Sequence, residues 1–342
     1  MYYDGTKLLS LKDINNKTPE IFICTSNRTA GKTTYFNRLV VNRFIKHNKK
    51  FMLLYRFNYE LDNIDEKFFK DIKELFFPKL EMTTKKWARG IYIELFINKK
   101  SCGYAVSINS ADQIKKYSHI FNDVTAIVFD EFQSESNTYC PNEIEKFFSI
   151  HTSVARGQGK QVRYVPVYMI SNLVSLLNPY YTVLNISSRL NKNVKFLRGD
   201  GFVLEQGFNE SASKAQEESA FNRAFASTKY AKFTAETVYL NDNDSFVENL
   251  SGSNKYICTI RYNGTDFAIR EYAYAGIMYC DKNVDRTFPT KICTSVNDHD
   301  INYVMLKNNS FMISNLRYLF EHGCFRFKDL ACKEALITTI SY

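Results

Sequence analysis

The chain has 342 residues, enough for two domains at about 150 residues each. Its 45% hydrophobic and 24% charged residues, with only 13 Gly and 6 Pro, exclude fibrous, low-complexity and wholly disordered classes. Forty-five Lys and Arg against 36 Asp and Glu leave a net charge of +9, which suits an anionic partner such as nucleic acid and equally a basic soluble enzyme.

Residues 20–25 (EIFICT) read as a buried strand, and 31–46 as a helix with Phe36, Leu39, Val40 and Phe44 on one face. FMLLYR (51–56) reads as a second strand, and 62–77 as a helix stopped by Pro78. IYIELFI, NKKS and CGYAVSI form a hairpin. TAIVFDEF (125–132), a helix from Pro141 to about Ala155, and RYVPVYMIS (163–171) follow. This alternation, with solidly apolar strands, predicts an α/β domain built on a mainly parallel sheet. After residue 200 the pattern changes. NESASKAQEESAFNRAFA (209–226) reads as a polar, helix-prone connector, and from about 233 β pattern dominates, with Asn263-Gly264 as a tight turn. Helices near 311–321 and 327–337 follow. The expected division is an α/β domain over 1–198, a linker or lid over 199–232 and a smaller α+β domain over 233–342.

None of the eight cysteines has CxxC or CxxH spacing, so they read as reduced, buried thiols. The first sixteen residues lack the basic and apolar regions of a signal peptide, and no apolar run approaches the roughly 18 residues of a membrane span. A soluble, intracellular protein without a membrane partner is expected.

The sharpest chemical signal is Ser26-Asn27-Arg28-Thr29-Ala30-Gly31-Lys32-Thr33-Thr34, directly after one strand and opening a helix. A phosphate-binding loop needs amide hydrogens at a helix N-terminus, a Lys for the β- and γ-phosphates and a hydroxyl for Mg²⁺. Gly31, Lys32 and Thr33 supply the second half of that pattern, while Ser26 replaces its first glycine. About a hundred residues on, Ile127-Val128-Phe129 runs into Asp130-Glu131, carboxylates at the end of a buried strand that face the same crevice. Asp130 is expected to hold Mg²⁺ together with Thr33, and Glu131 to deprotonate the attacking water of ATP hydrolysis. Either motif alone has a bland explanation, a helix start or a solvated strand cap; together, each on the right element, they predict an NTPase. Asn172, ending another apolar strand, is the candidate sensor of the γ-phosphate, and it equally suits a turn. Arg28 lies within reach of the phosphates in cis. Arg156, beside Gly157 and Gly159, suits action on a neighbouring subunit, with Arg163 as runner-up. Tyr2, Tyr3 and Lys12 offer contacts to a base, with no spacing that selects among them.

These residues resemble a known family. The loop from Arg28 to Thr33, IVFDEF (127–132), and Ser171-Asn172 through Asn178-Pro179-Tyr180 are similar to the double-stranded DNA packaging ATPases of phi29-type short-tailed phages. Ser26 and the inserted residues around 157–160 depart from that pattern. The resemblance implies an additional-strand, conserved-glutamate ring ATPase carrying a ribonuclease-H-like domain that no longer cleaves. It implies a homopentameric ring at the portal vertex of an empty capsid in the host cytoplasm, driving double-stranded DNA inward with ATP and anchored by a packaging RNA.

Two-metal cleavage needs carboxylates converging from neighbouring strands. The strand YICTIRY (256–262) carries Arg261 and no acid, and Asp266, Asp281, Asp285, Asp298 and Asp300 fall mostly at turn-like positions. His299 between two Asp reads as a polar loop. A domain that binds without cutting is therefore expected. DNA contacts are expected at phosphates. The candidates are Arg56 after strand two, Lys99 and Lys100 in the hairpin turn, and Lys85, Lys86 and Arg89. Lys282, Arg286, Lys291, Lys307 and Arg317 are candidates in the second domain. The competing functions are a terminase with a live nuclease and an ATP-gated scaffold that docks nucleic acid without moving it.

Overall fold

The computed structural model describes residues 3–136, 138–157, 159, 161–176, 178–187, 189–190, 194–207, 210–225, 246–306 and 310–341. They form two compact units, one from Met1–Tyr180 and Leu190–Asn241, the other from Tyr181–Arg189 and Asp242–Tyr342.

The strands of the first unit are β1 (Ile21–Ser26), β2 (Lys50–Tyr55), β3 (Met82–Trp87), β4 (Tyr92–Ile97), β5 (Lys100–Ser107), β6 (Val124–Asp130), β7 (Val167–Asn172), β8 (Phe196–Arg198) and β9 (Phe202–Gln206). They make one sheet in the order β3-β4-β5-β2-β6-β7-β1-β9-β8. The strands from β5 to β9 in that order pair in parallel, and antiparallel partners finish both margins. Continuous apolar runs suit strands covered on both faces, and Ile23, Cys24, Ile127 and Phe129 are fully buried. Because β7 intervenes between β1 and β6, the loops after these three strands open side by side at the sheet's carboxyl edge. This is the additional-strand arrangement.

The helix Lys32–His47 packs Phe36, Val40, Val41 and Phe44 onto the sheet, with Phe36 5.2 Å from the Tyr168 ring of β7. Burying each such side chain contributes about 2 kcal/mol, which fixes the loop before the helix to the core. The helix stops at Asn48 (φ +53°), whose N–H donates to the Phe44 carbonyl. The stretch expected as one helix over 62–77 instead begins with a π-helical turn, Asp65–Lys70, and continues as the helix Asp71–Phe76.

Two pieces of the sheet escaped the sequence. β3 (MTTKKW) is an exposed edge strand with no buried residue, so it carries no apolar alternation. The hairpin of β8 and β9 continues the sheet beyond residue 198, pairing Phe202–Gln206 with β1, so the connector begins after 206 rather than at 199. Helices Glu210–Glu218 and Ala220–Ala224 follow; residues 226–245, which hold the expected junction with the second domain, lie outside the described residues.

In the second unit, β10 (Lys255–Tyr262), β11 (Thr265–Tyr272), β12 (Ile277–Asp281), β13 (Lys291–Cys293), β14 (Val304–Met305) and β15 (Phe325–Phe327) have the order β14-β13-β10-β11-β12-β15. The antiparallel meander β10-β11-β12 beside parallel β13 and β14 is what a ribonuclease-H-like sheet requires. No helix lies between β12 and β13, a departure from that fold. Asn263 and Gly264 (φ +49° and +72°) make the expected type I′ turn. Helices Phe311–Glu321 and Leu330–Ser341 bury Ile313, Leu316, Leu336 and Ile340 against Cys258 and Ile260. All eight cysteines are free thiols, and among the described residues no helix is long and apolar enough to cross a membrane.

Candidate active site

Gly31 at φ +87° turns the chain from the loop into the helix, a conformation that favours glycine. Ser26, by contrast, is the last residue of β1 and stays extended, so the missing first glycine costs no backbone strain. Its hydroxyl accepts from Lys32 Nζ at 2.9 Å, and the same ammonium donates to the carbonyls of Asn27 (3.0 Å) and Ser26 (3.3 Å). Lys32 is thus held by weak neutral acceptors, which phosphate oxygens outbid. Burial pulls its pKa down, opposed by the nearby Cys24 and Asp130.

Asp130 and Glu131 lie across the same crevice. The Asp130 carboxylate accepts from the Thr33 hydroxyl and from the Glu131 N–H (3.0 Å). Burial pushes the Asp130 carboxyl up; burial and then the neighbouring carboxylates of Asp130, Glu135 and Glu60 do the same for Glu131. The Thr33 hydroxyl touching the Asp130 carboxylate beside residues 26–34 gives two hard-oxygen donors, which fit Mg²⁺.

Asn172, at the tip of β7, accepts from Lys32 Nζ at 3.4 Å and donates to Glu135 Oε1 at 3.3 Å. Glu135 also binds Arg28 Nη2 at 2.6 Å. Lys32, Asn172, Glu135 and Arg28 therefore form one chain of contacts around the crevice. It opens into a cavity of about 260 Å³ lined by residues 29–34 with Asp130, Glu131 and Asn172, and another of about 370 Å³ lined by Arg28, Glu131 and Glu135. Sequence reasoning missed Glu135; its only signal was a third acid closely following Asp130-Glu131.

Arg56, expected to touch DNA, is instead turned inward. It is 5% exposed and pairs with buried Glu143 at 3.0 Å. Its other nitrogens donate to the carbonyls of Glu131 (3.2 Å) and Phe132 (2.6 Å). Glu131 sits at φ +53°, a left-handed conformation that costs a Glu about 1 kcal/mol or more. Arg56 clamps that turn and so positions the Glu131 backbone. Arg56→Ala leaves Glu143 buried with only Tyr180 and the Cys140 N–H; a stability loss of about 3 kcal/mol is expected in denaturant titration.

Arg156 and Arg163 lie at the opposite, amino edge of the sheet. Arg163 is consumed there, donating to the carbonyls of Val154 (2.6 Å) and Val124 (3.2 Å). Arg156 is exposed, with one bond to Ser118 (2.9 Å). Val124 to Asp130 spans β6, about 20 Å, so neither arginine reaches its own chain's acids. Lys99 and Lys100 are exposed at that amino edge as well. Tyr3 packs on Phe36 and donates to Glu205 at 2.7 Å, bracing the loop through its N–H to Ala30; it is not open to a base. Lys12 is exposed and bonds Thr18, and Tyr2 lies outside the described residues.

In the second unit, Arg261 pairs with Asp266 (2.8 Å) and Asp300 (2.6 Å) and stacks 3.6 Å from the Tyr303 ring centre. Asp298 instead accepts from the Asn263 and Gly264 amides, so the acids flanking exposed His299 serve separate structural roles. Lys282 is paired with Asp329 (2.7 Å), and Arg317 donates to the Ile340 carbonyl. Lys291 donates to the Arg286 carbonyl, and Lys307 lies outside the described residues. Among the described residues no three His, Cys, Asp or Glu side chains gather as a metal site.

Comparison with known proteins places the whole chain beside phage DNA packaging proteins. The DNA packaging protein of Bacillus phage phi29 is 28% identical over 333 residues, covering 96% of this chain and 94% of its own. That of Bacillus phage B103 is 26% identical over 321 residues, covering 92% and 93%. The chain in the bacteriophage Phi-29 viral genome packaging motor assembly superposes with a TM-score of 0.66 at 24% identity, covering 100% of this chain and 97% of its own. The Phi-28 gp11 DNA packaging motor gives the same TM-score at 15% identity, with coverage of 99% and 97%. With residues 1–339 matched by the family described as Podovirus DNA encapsidation protein (Gp16), the chain belongs to that family.

Proposed function

We propose that this protein is an ATP-driven motor that translocates double-stranded viral DNA into an empty capsid. The observation that carries the reading is the crevice in which Lys32, Thr33 and Asn172 face Asp130 and Glu131. Membership of the DNA encapsidation family supports its use in genome packaging.

ATP enters with its β- and γ-phosphates against the loop amides and Lys32, displacing that ammonium from the carbonyls it now holds. Thr33 and Asp130 would hold Mg²⁺, which neutralises phosphate charge. Glu131 takes a proton from the attacking water as the bond from the γ-phosphorus to its bridging oxygen breaks, releasing ADP and phosphate. Asn172, already touching Lys32, senses the γ-phosphate. Arg28 leaves Glu135 for the phosphates.

The exposed position of Arg156, about 20 Å from its own chain's acids, supports action on a neighbour's nucleotide in a ring; a pentamer at the portal vertex, anchored by packaging RNA in the host cytoplasm, is the proposed assembly. In mixed rings, Arg156→Ala subunits are expected to depress turnover more than in proportion to their share. A strictly proportional loss contradicts trans action.

Arg261 argues against the live-nuclease alternative. Its guanidinium occupies the space between Asp266 and Asp300, where cleavage chemistry needs a divalent cation. The scaffold alternative predicts ATP hydrolysis indifferent to DNA. The test of the proposed function is the ATPase rate with and without double-stranded DNA. Stimulation by DNA is expected; an unchanged rate favours the scaffold.

A further inference from the structure

A basic patch stands at the far edge of the first unit's sheet from the crevice of Lys32 and Asp130. β5 pairs with β2 so that Gly103 lies opposite Phe51. A side chain at Gly103 is impossible, since its Cβ would stand 2.1 Å from the Phe51 carbonyl oxygen. This close pairing fixes the register, and it brings the start of β2 (His47-Asn48-Lys49-Lys50) beside the start of β5 (Asn98-Lys99-Lys100), segments about fifty residues apart in the chain.

Lys46, Lys49, Lys99 and Lys100 are all exposed there, and among the described residues no ion pair includes any of them. Of the acids at this edge, Asp123 is paired with Lys50 at 2.8 Å, and among the described residues the exposed Glu81 makes no ion pair with any of the four.

The backbone of the β4–β5 turn adds an independent observation. Asn98 and Lys99 have φ +49° and +63°, the pair of left-handed residues that a type I′ turn demands, and the second place in such turns favours glycine. The second unit obeys that preference with Asn263-Gly264. Here a lysine occupies the strained position, and its ammonium is carried to the very tip of the hairpin. Strain of this kind persists where the surrounding structure over-determines it, and it clusters at functional sites.

We propose that Lys46, Lys49, Lys99 and Lys100 form a contact site for the sugar-phosphate backbone of duplex DNA. The inference rests on the motor reading and gives it a place of grip. Lysines without aromatic neighbours read charge rather than bases, which suits a substrate of any sequence. Four ammonium groups unpaired by protein carboxylates gain most from releasing the counterions of an anionic duplex.

The test uses the full chain and the anisotropy of labelled random-sequence duplex DNA, with duplex RNA of equal length as a second arm. Lys99→Gly is expected to weaken DNA binding about threefold while the thermal midpoint stays or rises, because glycine relieves the turn. The variant with Lys46→Gln, Lys49→Gln, Lys99→Gly and Lys100→Gln is expected to bind at least about tenfold more weakly and to flatten the salt dependence of log K by about three units. Unchanged affinity and slope in that variant overturn the proposal, as does a loss confined to the RNA arm. A lower thermal midpoint for Lys99→Gly marks the lysine as structural and also overturns it. If the unaltered chain binds no DNA at all, the motor reading itself falls, an outcome distinct from the others.

Discussion

Lys32→Ala is expected to lower ATP turnover by at least about a thousandfold while leaving the fold intact, because the ammonium serves the phosphates and not the core. Its hydrogen-bond partners are the Ser26 hydroxyl, two loop carbonyls and Asn172, none of them charged. Removing a buried cation from such company takes away a desolvation cost along with a few weak bonds, so the thermal midpoint moves little. ATP affinity falls together with kcat, since the β- and γ-phosphates lose their only buried ammonium within the loop. Full activity in the variant contradicts the assignment of residues 26–34 as a phosphate loop.

Glu131→Gln has the complementary signature. The amide keeps the shape of the carboxyl group but cannot take a proton from water, so turnover is expected to drop by about a hundred- to ten-thousandfold with ATP affinity nearly unchanged. The structure adds a second variant that separates chemistry from folding. Glu131 holds a left-handed φ of +53°, kept in place by the bonds from Arg56 to the Glu131 and Phe132 carbonyls. Glu131→Gly relieves that conformation, so it is expected to melt no lower than the unaltered chain while being equally inactive. Nucleotide-binding titration alongside single-turnover hydrolysis reads both variants; retained hydrolysis in either removes Glu131 as the base.

The placement of residues 26–34 and of the acidic strand tip was legible because a phosphate-loop pattern ties residue type to element type: an amide-rich turn opens a helix, and the carboxylates facing it end a buried strand. Their meeting followed from the rule that parallel strands deliver their loops to one edge. Asn172 was legible for the same reason. Arg56 was misread for a related one. A cation at a strand's carboxyl edge looks available to a ligand, and nothing local reveals that Glu143, 87 residues later, turns inward to meet it. Glu135 stayed hidden because its role depends on Arg28, which approaches from another loop. β3 and β9 were lost to edge effects: a strand with one paired side needs no apolar alternation, and a five-residue strand holding a buried Glu205 imitates a connector. The pairing of Arg261 with Asp300 is long-range in the same way, although the absence of an acid from β10 was plain in the sequence.

The most direct test of the central claim is a structure of the protein with a non-hydrolysable ATP analogue and Mg²⁺. The account predicts the γ-phosphate within hydrogen-bond reach of Lys32 Nζ and Asn172, the metal beside Thr33 and Asp130, and a water between Glu131 and the γ-phosphorus. Phosphates bound away from Lys32, or a nucleotide whose γ-phosphate turns from Glu131, would contradict it.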